Sequence, residues 1–140
     1  QVALKNAVSR EQKLAATQLA DRPQGRSVVL LHDFAAPLTT SWTWMKFARP
    51  LYKQGFSVIL IDFPGMGKST TGHRRLCPVR EWREHDWHIV VNTMEQLRVS
   101  KFSVVACGES CATLFRLLMR APSNLDDIAI LHNPAFAMGD

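Results

Sequence analysis

The sequence has few cysteines, no long apolar run and no low-complexity tract. Its three cysteines cannot form a disulfide framework, and nothing arranges them with histidines at the spacing of a zinc site. No apolar stretch approaches the roughly 18 residues that a membrane-spanning helix needs, and the N-terminus lacks the apolar segment of a signal peptide. We therefore expect an intracellular, cytoplasmic protein that holds no metal or other cofactor and does not span a membrane.

The basic charge of the chain is dispersed. The formal net charge is +5 at pH 7, but the densest basic group is only the set Arg74, Arg75, Arg80 and Arg83. This distribution favours a solvated surface over a nucleic-acid-binding face. A hydrophobic fraction of 46% is enough for the core of one globular domain. Because the first residue is Gln1 and not Met, we expect a processed product or a portion of a longer chain.

After residue 26 the sequence alternates short apolar runs with stretches of helical periodicity. Continuous apolar runs of this length are typical of strands buried on both faces of a parallel sheet. The pattern predicts four strands and three helices, in the order 26–34, 41–54, 56–62, 80–98, 101–108, 110–120 and 126–134. A break is predicted near Pro50 in the first helix. Strands that alternate with helices form right-handed crossovers, so we predict an α/β fold with a parallel sheet.

The first 25 residues have a different character. Apolar residues recur weakly between residues 4 and 19, as on one face of a helix, and the following run DRPQG is typical of a linker. We therefore predict an N-terminal helix and linker over 1–25, followed by the α/β core over 26–140.

The stretch IDFPGMGKST, residues 61–70, ends like a phosphate-binding loop. Such a loop needs a glycine at the position of Asp62, where the backbone must turn around the phosphates. It must also open a helix, but Gly72 and Pro78 follow instead. The sequence therefore argues against nucleotide binding here.

Ser110 is the candidate nucleophile. A predicted strand runs into Gly108, Glu109 and Ser110 and continues directly as a helix, which is the context of a G-x-S-x-G nucleophile elbow with Ala112 in place of the last glycine. Two alternatives remain open from the residues alone. Ser110 is equally well explained as the N-cap of the third helix, and Cys111 is either a second candidate nucleophile or a small buried residue.

These motifs together resemble the α/β-hydrolase superfamily. The first strand ends in His-Asp-Phe at 32–34, the second leads into the D-x-P-G-x-G-x-S pattern at 62–69, and the elbow follows. Among the branches of the superfamily the sequence is similar to the small lidless hydrolases, over about residues 26 to 133. The resemblance implies a partial α/β-hydrolase fold, the N-terminal half, with the four strands side by side in the order second, first, third, fourth.

The resemblance also implies roles for individual residues. Ser110 matches the nucleophile, and the backbone N–H groups of Phe34 and Cys111 match the two oxyanion-hole donors, each worth roughly 3 kcal/mol in the transition state. It implies no cofactor. The family's His-Gly pair is His32-Asp33 here, which places a carboxylate beside the expected hole.

A serine nucleophile also needs a histidine base and a carboxylate, which follow it in this family. The five histidines are better explained as structural or exposed residues. Asp140 lies where some branches of the family place the acid.

Two functions from different classes remain. The first is a serine hydrolase of esterase or thioesterase type, acting on a small-molecule ester, thioester or amide and represented here by its N-terminal half, with a transferase equally open. The second is a non-catalytic α/β-hydrolase-like module for binding or assembly. The expected strand order leaves one face of the sheet short of a helix and an apolar strand at the edge. We expect self-association through residues 127–132, cover from a helix at 4–19, or a partner that supplies the missing half.

Overall fold

The computed structural model describes residues 4–7, 15–19, 26–33, 42–64, 66, 69, 79–120 and 122–132. Six strands and three helices lie in this part of the chain. In chain order they are β1 Leu4–Ala7, β2 Ala15–Leu19, β3 Ser27–Leu31, α1 Trp42–Lys53, β4 Ser57–Asp62, α2 Val79–Gln96, β5 Phe102–Cys107, α3 Ser110–Arg120 and β6 Leu125–His132.

The strands form one sheet in the order β1-β2-β4-β3-β5-β6. β4, β3, β5 and β6 are mutually parallel, and every residue of β3 and β4 is buried, as their continuous apolar runs predict. The four core strands therefore lie in the order second, first, third, fourth. The predicted α/β class and strand order are confirmed.

Each face of the sheet has its own core. Helices α2 and α3 cover one face, where apolar residues of both helices pack on Leu31, Ile61 and Val104. Helix α1 covers the other face, where Ala48 packs against Val58 and neighbouring side chains. The α1 face therefore carries one helix and the opposite face two, so one face is short of a helix, as the strand order implied.

Helix α1 continues through Pro50, so the predicted break is wrong. Pro50 lacks the N–H that would bond back along the helix, but it lies in the last turn, where only three further residues follow. The N–H of Gln54 bonds to the carbonyls of Pro50 and Leu51, both at 3.1 Å. Gly55, with φ of 91°, then ends the turn.

The predicted N-terminal helix is also wrong, because its residues form strands. β1 and β2 are antiparallel, with Leu4 opposite Leu19, and β2 pairs antiparallel with β4 from Ala15 opposite Asp62 to Leu19 opposite Val58. The outer edge of β4 offers backbone hydrogen bonds that override a weak helical pattern. The expected cover of the short face by a helix at 4–19 is therefore excluded. The domain division at residue 25 stays a prediction, and the linker lies outside the described residues.

β6 is the last strand of the sheet among the described residues. Ile130 is 51% exposed and Ile128 48%. Ile130 lies opposite Val105 of β5, which packs with the α1 core, so it is on the α1 face of the sheet. Apolar surface is thus exposed on that face next to α1. None of the helices in the described ranges is long and apolar enough to cross a membrane.

Candidate active site

The candidate site lies at the carboxyl edge of β3 and β5. The chain leaves β3 toward β4 on one side and leaves β5 toward β6 on the other, and open α/β sheets bind ligands at such a switch point. His32 and Asp33 follow β3, and Gly108 and Glu109 connect β5 to α3. The structure therefore brings Asp33 and the elbow together, whereas Phe34 and Asp140 lie outside the described residues.

Ser110 is the first residue of α3 and is only 2% exposed. The single proton on its Oγ is shared between the carbonyls of Leu31 at 3.0 Å and Cys107 at 2.9 Å, and Oγ accepts from the N–H of Cys107 at 3.1 Å. All of these contacts point back to β3 and β5. They differ from an N-cap, which accepts from N–H groups of the helix's own first turn. The hydroxyl joins α3 to two strands.

The residue with positive φ in this turn is Gly108, not Ser110. Its φ is 61°, the region that glycine adopts without steric cost. A Cβ placed on Gly108 would lie 2.5 Å from Cγ of Asp33 and 2.6 Å from its Oδ2. In a nucleophile elbow the strained turn residue carries the reactive side chain. Here that position has no side chain, and the carboxylate of Asp33 occupies the space beside it.

The expected oxyanion donor at Cys111 is engaged within the turn. Its N–H donates to the carbonyl of Gly108 at 3.2 Å. Its side chain is fully buried, and Sγ donates to the carbonyl of Ala106 at 3.5 Å. Burial is the main cause that raises the pKa of this thiol. These contacts support the small buried residue among the two alternatives for Cys111.

His32 is a buried structural residue at the end of β3. Its Nε2 accepts from the N–H of Phe63 at 3.3 Å, so Nδ1 carries the proton and donates to the carbonyl of Asp33 at 2.6 Å. The ring also packs against Phe63, with centroids 5.4 Å apart. His32 thereby fixes the ends of β3 and β4 beside the site, in agreement with the structural role expected for it.

Ser69, in the stretch that resembles a phosphate loop, bonds back to the end of β4. Asp62 belongs to the strand and is fully buried, and Oγ of Ser69 donates to its carbonyl at 2.5 Å. The N–H of Ser69 donates to the carbonyl of Met66 at 2.8 Å. The hydroxyl that would bind a metal ion in a nucleotide site is used here to close the loop.

Sequence reasoning missed a contact between Cys107 and His132. These are the last residues of the adjacent strands β5 and β6 and lie opposite each other in the register, with Sγ 3.3 Å from Nδ1. Burial, and secondarily the negative charge of Asp33, raise the pKa of the Cys107 thiol. The signal was available, because the predicted strand order puts these two strand ends side by side.

The fold and this edge define an α/β protein of the hydrolase type. The family model described as alpha/beta hydrolase fold matches residues 26–140. The chain belongs to this family, and the resemblance inferred from its motifs is confirmed.

Solved structures agree with this family. A predicted CIB-like hydrolase from Thermoplasma acidophilum is 17% identical with a TM-score of 0.80, covering 99% of this chain and 66% of that one. The 2-hydroxy-6-oxo-6-phenylhexa-2,4-dienoate hydrolase BphD from Rhodococcus sp. strain RHA1 is 23% identical with a TM-score of 0.74. The match covers 93% of this chain and 46% of that one. A thioesterase domain from the curacin biosynthetic pathway is 15% identical with a TM-score of 0.79. The match covers 100% of this chain and 49% of that one.

Because the sequence identities are low, these structural similarities establish the fold alone. The chain spans from 46% to 66% of the length of these three structures. No curated protein matches it in sequence. Within the described part of the chain, no three His, Cys, Asp or Glu side chains are grouped to hold a metal ion.

Proposed function

We propose that these residues form a non-catalytic α/β-hydrolase-like module that serves binding or assembly and does not use Ser110 as a nucleophile. The observation that carries this proposal is the burial of the Ser110 hydroxyl between the carbonyls of Leu31 and Cys107. A hydroxyl held in this way has no open path to a substrate carbon.

The proton acceptors around Ser110 support the proposal. A serine becomes nucleophilic when a histidine takes its proton, but its hydroxyl proton is directed at two backbone carbonyls. His32 is committed to the backbone of Asp33 and Phe63, and His88 stacks on Trp87 of α2 with ring centroids 3.5 Å apart. Among the described side chains, no histidine contacts the Ser110 hydroxyl.

The charge of Asp33 supports it further. An acyl-transfer transition state develops negative charge at the oxyanion hole, and the Asp33 carboxylate lies directly beside the turn at Gly108. Two like charges 4 Å apart repel by about 4 kcal/mol at an effective dielectric constant of 20. That repulsion is comparable to what one oxyanion donor contributes, so the turn at Gly108 is unsuited to the tetrahedral oxyanion of acyl transfer.

The second candidate is the serine hydrolase of esterase or thioesterase type, acting on an ester, thioester or amide. Family membership and the position of Ser110 at the strand-to-helix turn favour it. It requires that Ser110 leave its two carbonyl partners and that a histidine and a carboxylate come from outside the described residues.

A fluorophosphonate probe separates the two candidates. We expect no labelling of the 140-residue chain at Ser110, with the Ser110→Ala variant as the matched blank and a serine esterase as the positive control. A longer native product that includes any downstream histidine is tested in parallel. Labelling at Ser110 in either form, absent from the Ser110→Ala variant, would refute the non-catalytic proposal.

The assembly role is proposed for residues 127–132. β6 has partly exposed apolar side chains at the last position of the sheet in the described ranges, and strand edges of this kind pair with other chains. Light scattering should give a mass above the 15.8 kDa of one chain, and Ile130→Lys should shift it to the monomer. A parent protein that is monomeric at high concentration contradicts self-association.

The cytoplasmic location stays a prediction.

A further inference from the structure

Two chemically reactive side chains meet at the carboxyl edge outside the serine elbow. Cys107 ends β5 and His132 ends β6, and parallel pairing places them opposite each other with Sγ 3.3 Å from Nδ1. The thiol is partly exposed and the imidazole is exposed. Neither side chain is used by a serine mechanism.

The surroundings of the pair favour the protonated sulfur. Burial, and secondarily the charge of Asp33 at the end of β3, raise the pKa of Cys107, and the Cys111 thiol from α3 lies nearby. The resting sulfur is therefore a thiol, and it lies within hydrogen-bond reach of Nδ1 of His132. A thiol within hydrogen-bond reach of a base is the arrangement that generates a nucleophile on demand.

The rim beside the pair is apolar. Phe47 of α1 is 54% exposed, and its ring centroid lies 6.5 Å from that of His132. Ile130 lies on the same face of β6, two residues before His132, and is 51% exposed. A compound that reaches the thiol therefore contacts apolar surface.

We propose that Cys107 and His132 form a covalent capture site for apolar α,β-unsaturated carbonyl compounds. Sulfur attacks the β-carbon, a carbon–sulfur bond forms, and the π electrons of the double bond move to give an enolate. The thiol proton passes to Nδ1 of His132 and then to the α-carbon. No group leaves and nothing is oxidised or reduced, so the product is a stable thioether.

Addition of the Cys107 thiol suits the geometry of this edge better than catalytic acyl transfer at Ser110 does. The addition needs no oxyanion hole in the elbow and no second nucleophile, whereas the Asp33 carboxylate opposes acyl transfer at that point. The site goes beyond the proposed binding role, and it does not depend on whether Ser110 acts as a nucleophile.

The test follows modification of the full 140-residue chain by N-ethylmaleimide at pH 7, using peptide mapping over time. We expect Cys107 to react before Cys111, which is fully buried and should stay unmodified. His132→Gln should slow reaction at Cys107 by at least about tenfold, since a positioned base contributes 10²–10⁴-fold, while the rate at Cys77 stays the same. Asp33→Asn should speed the reaction at Cys107, because removing the negative charge lowers the thiol pKa.

Equal Cys107 rates in the parent and in His132→Gln would overturn the proposal, as would faster reaction at Cys111 than at Cys107. Circular dichroism and melting temperature establish that each variant is folded, and Cys107→Ser identifies the modified peptide. The apolar preference is tested with N-phenylmaleimide against N-ethylmaleimide, each normalised to its rate with free cysteine. The normalised preference for the phenyl compound should fall several-fold in Phe47→Ala, and an unchanged ratio would refute the apolar rim.

Discussion

Replacing Ser110 by alanine distinguishes a structural serine from a catalytic one through stability alone. The substitution removes the three hydrogen bonds that the hydroxyl makes to the backbone of Leu31 and Cys107. A buried hydrogen bond contributes about 1 kcal/mol net, and a buried group left without a partner costs about 1–3 kcal/mol. Because the three bonds share one oxygen, we expect a loss of about 1–3 kcal/mol in the free energy of unfolding.

The assay is urea denaturation followed by circular dichroism, with a thermal melt as a second measurement. One kcal/mol lowers the melting temperature of a domain of this size by roughly 3 °C, so the shift should be about 3–9 °C. Ser103→Ala is the matched control, because Ser103 is a buried serine of β5, the strand that ends at Cys107. We expect that control to lose less stability than Ser110→Ala.

The opposite result has a clear meaning. Catalytic side chains are held at some cost in stability, so their removal often leaves a protein equally or more stable. If Ser110→Ala matches or exceeds the parent protein in stability, the hydroxyl is not a structural tie and the non-catalytic proposal loses its main support.

Two further predictions concern the same edge and the loop after β4. Gly108→Ser alone should destabilise the protein, because the new Cβ would meet the Asp33 carboxylate and the φ of residue 108 is unfavourable for a side chain. In urea denaturation the double variant with Asp33→Gly should recover part of the lost stability. An unchanged loss would show that the contact with Asp33 is not the cause. Millimolar ATP or GTP should not raise the melting temperature, because Asp62 is a buried strand residue where a phosphate loop needs glycine; a dose-dependent shift that Lys68→Ala abolishes would contradict this.

The core of the fold was predictable because its signals are local. Continuous apolar runs identify β3 to β6, and the intervening periodic segments leave little choice but parallel crossovers. The N-terminal hairpin was not predictable in the same way. Residues 15–19, Ala-Ala-Thr-Gln-Leu, have no strong preference, and the edge of β4 that pairs with them is distant in sequence.

Which residue occupies the turn of the candidate site also could not be predicted from local sequence. The sequence Gly108-Glu109-Ser110 satisfies the elbow motif with Ser110 as the turn residue, but Gly108 can take the positive φ itself. The register of β5 against β3, with Leu31 opposite Ala106, determines which residue reaches the edge of the sheet. That register depends on pairing between strands that are distant in sequence, so the motif alone does not predict it.

The two outermost strands of the sheet in the described part of the chain are unequal in length. One is β1, a strand of four residues, and the other is β6, a strand of eight. A short terminal strand offers little backbone for strand addition. When two copies join β6 to β6 across a two-fold axis, each uses the same surface and none remains for a third copy. If the proposed assembly through this strand occurs, we expect it to close at a dimer and not to propagate as a fibre.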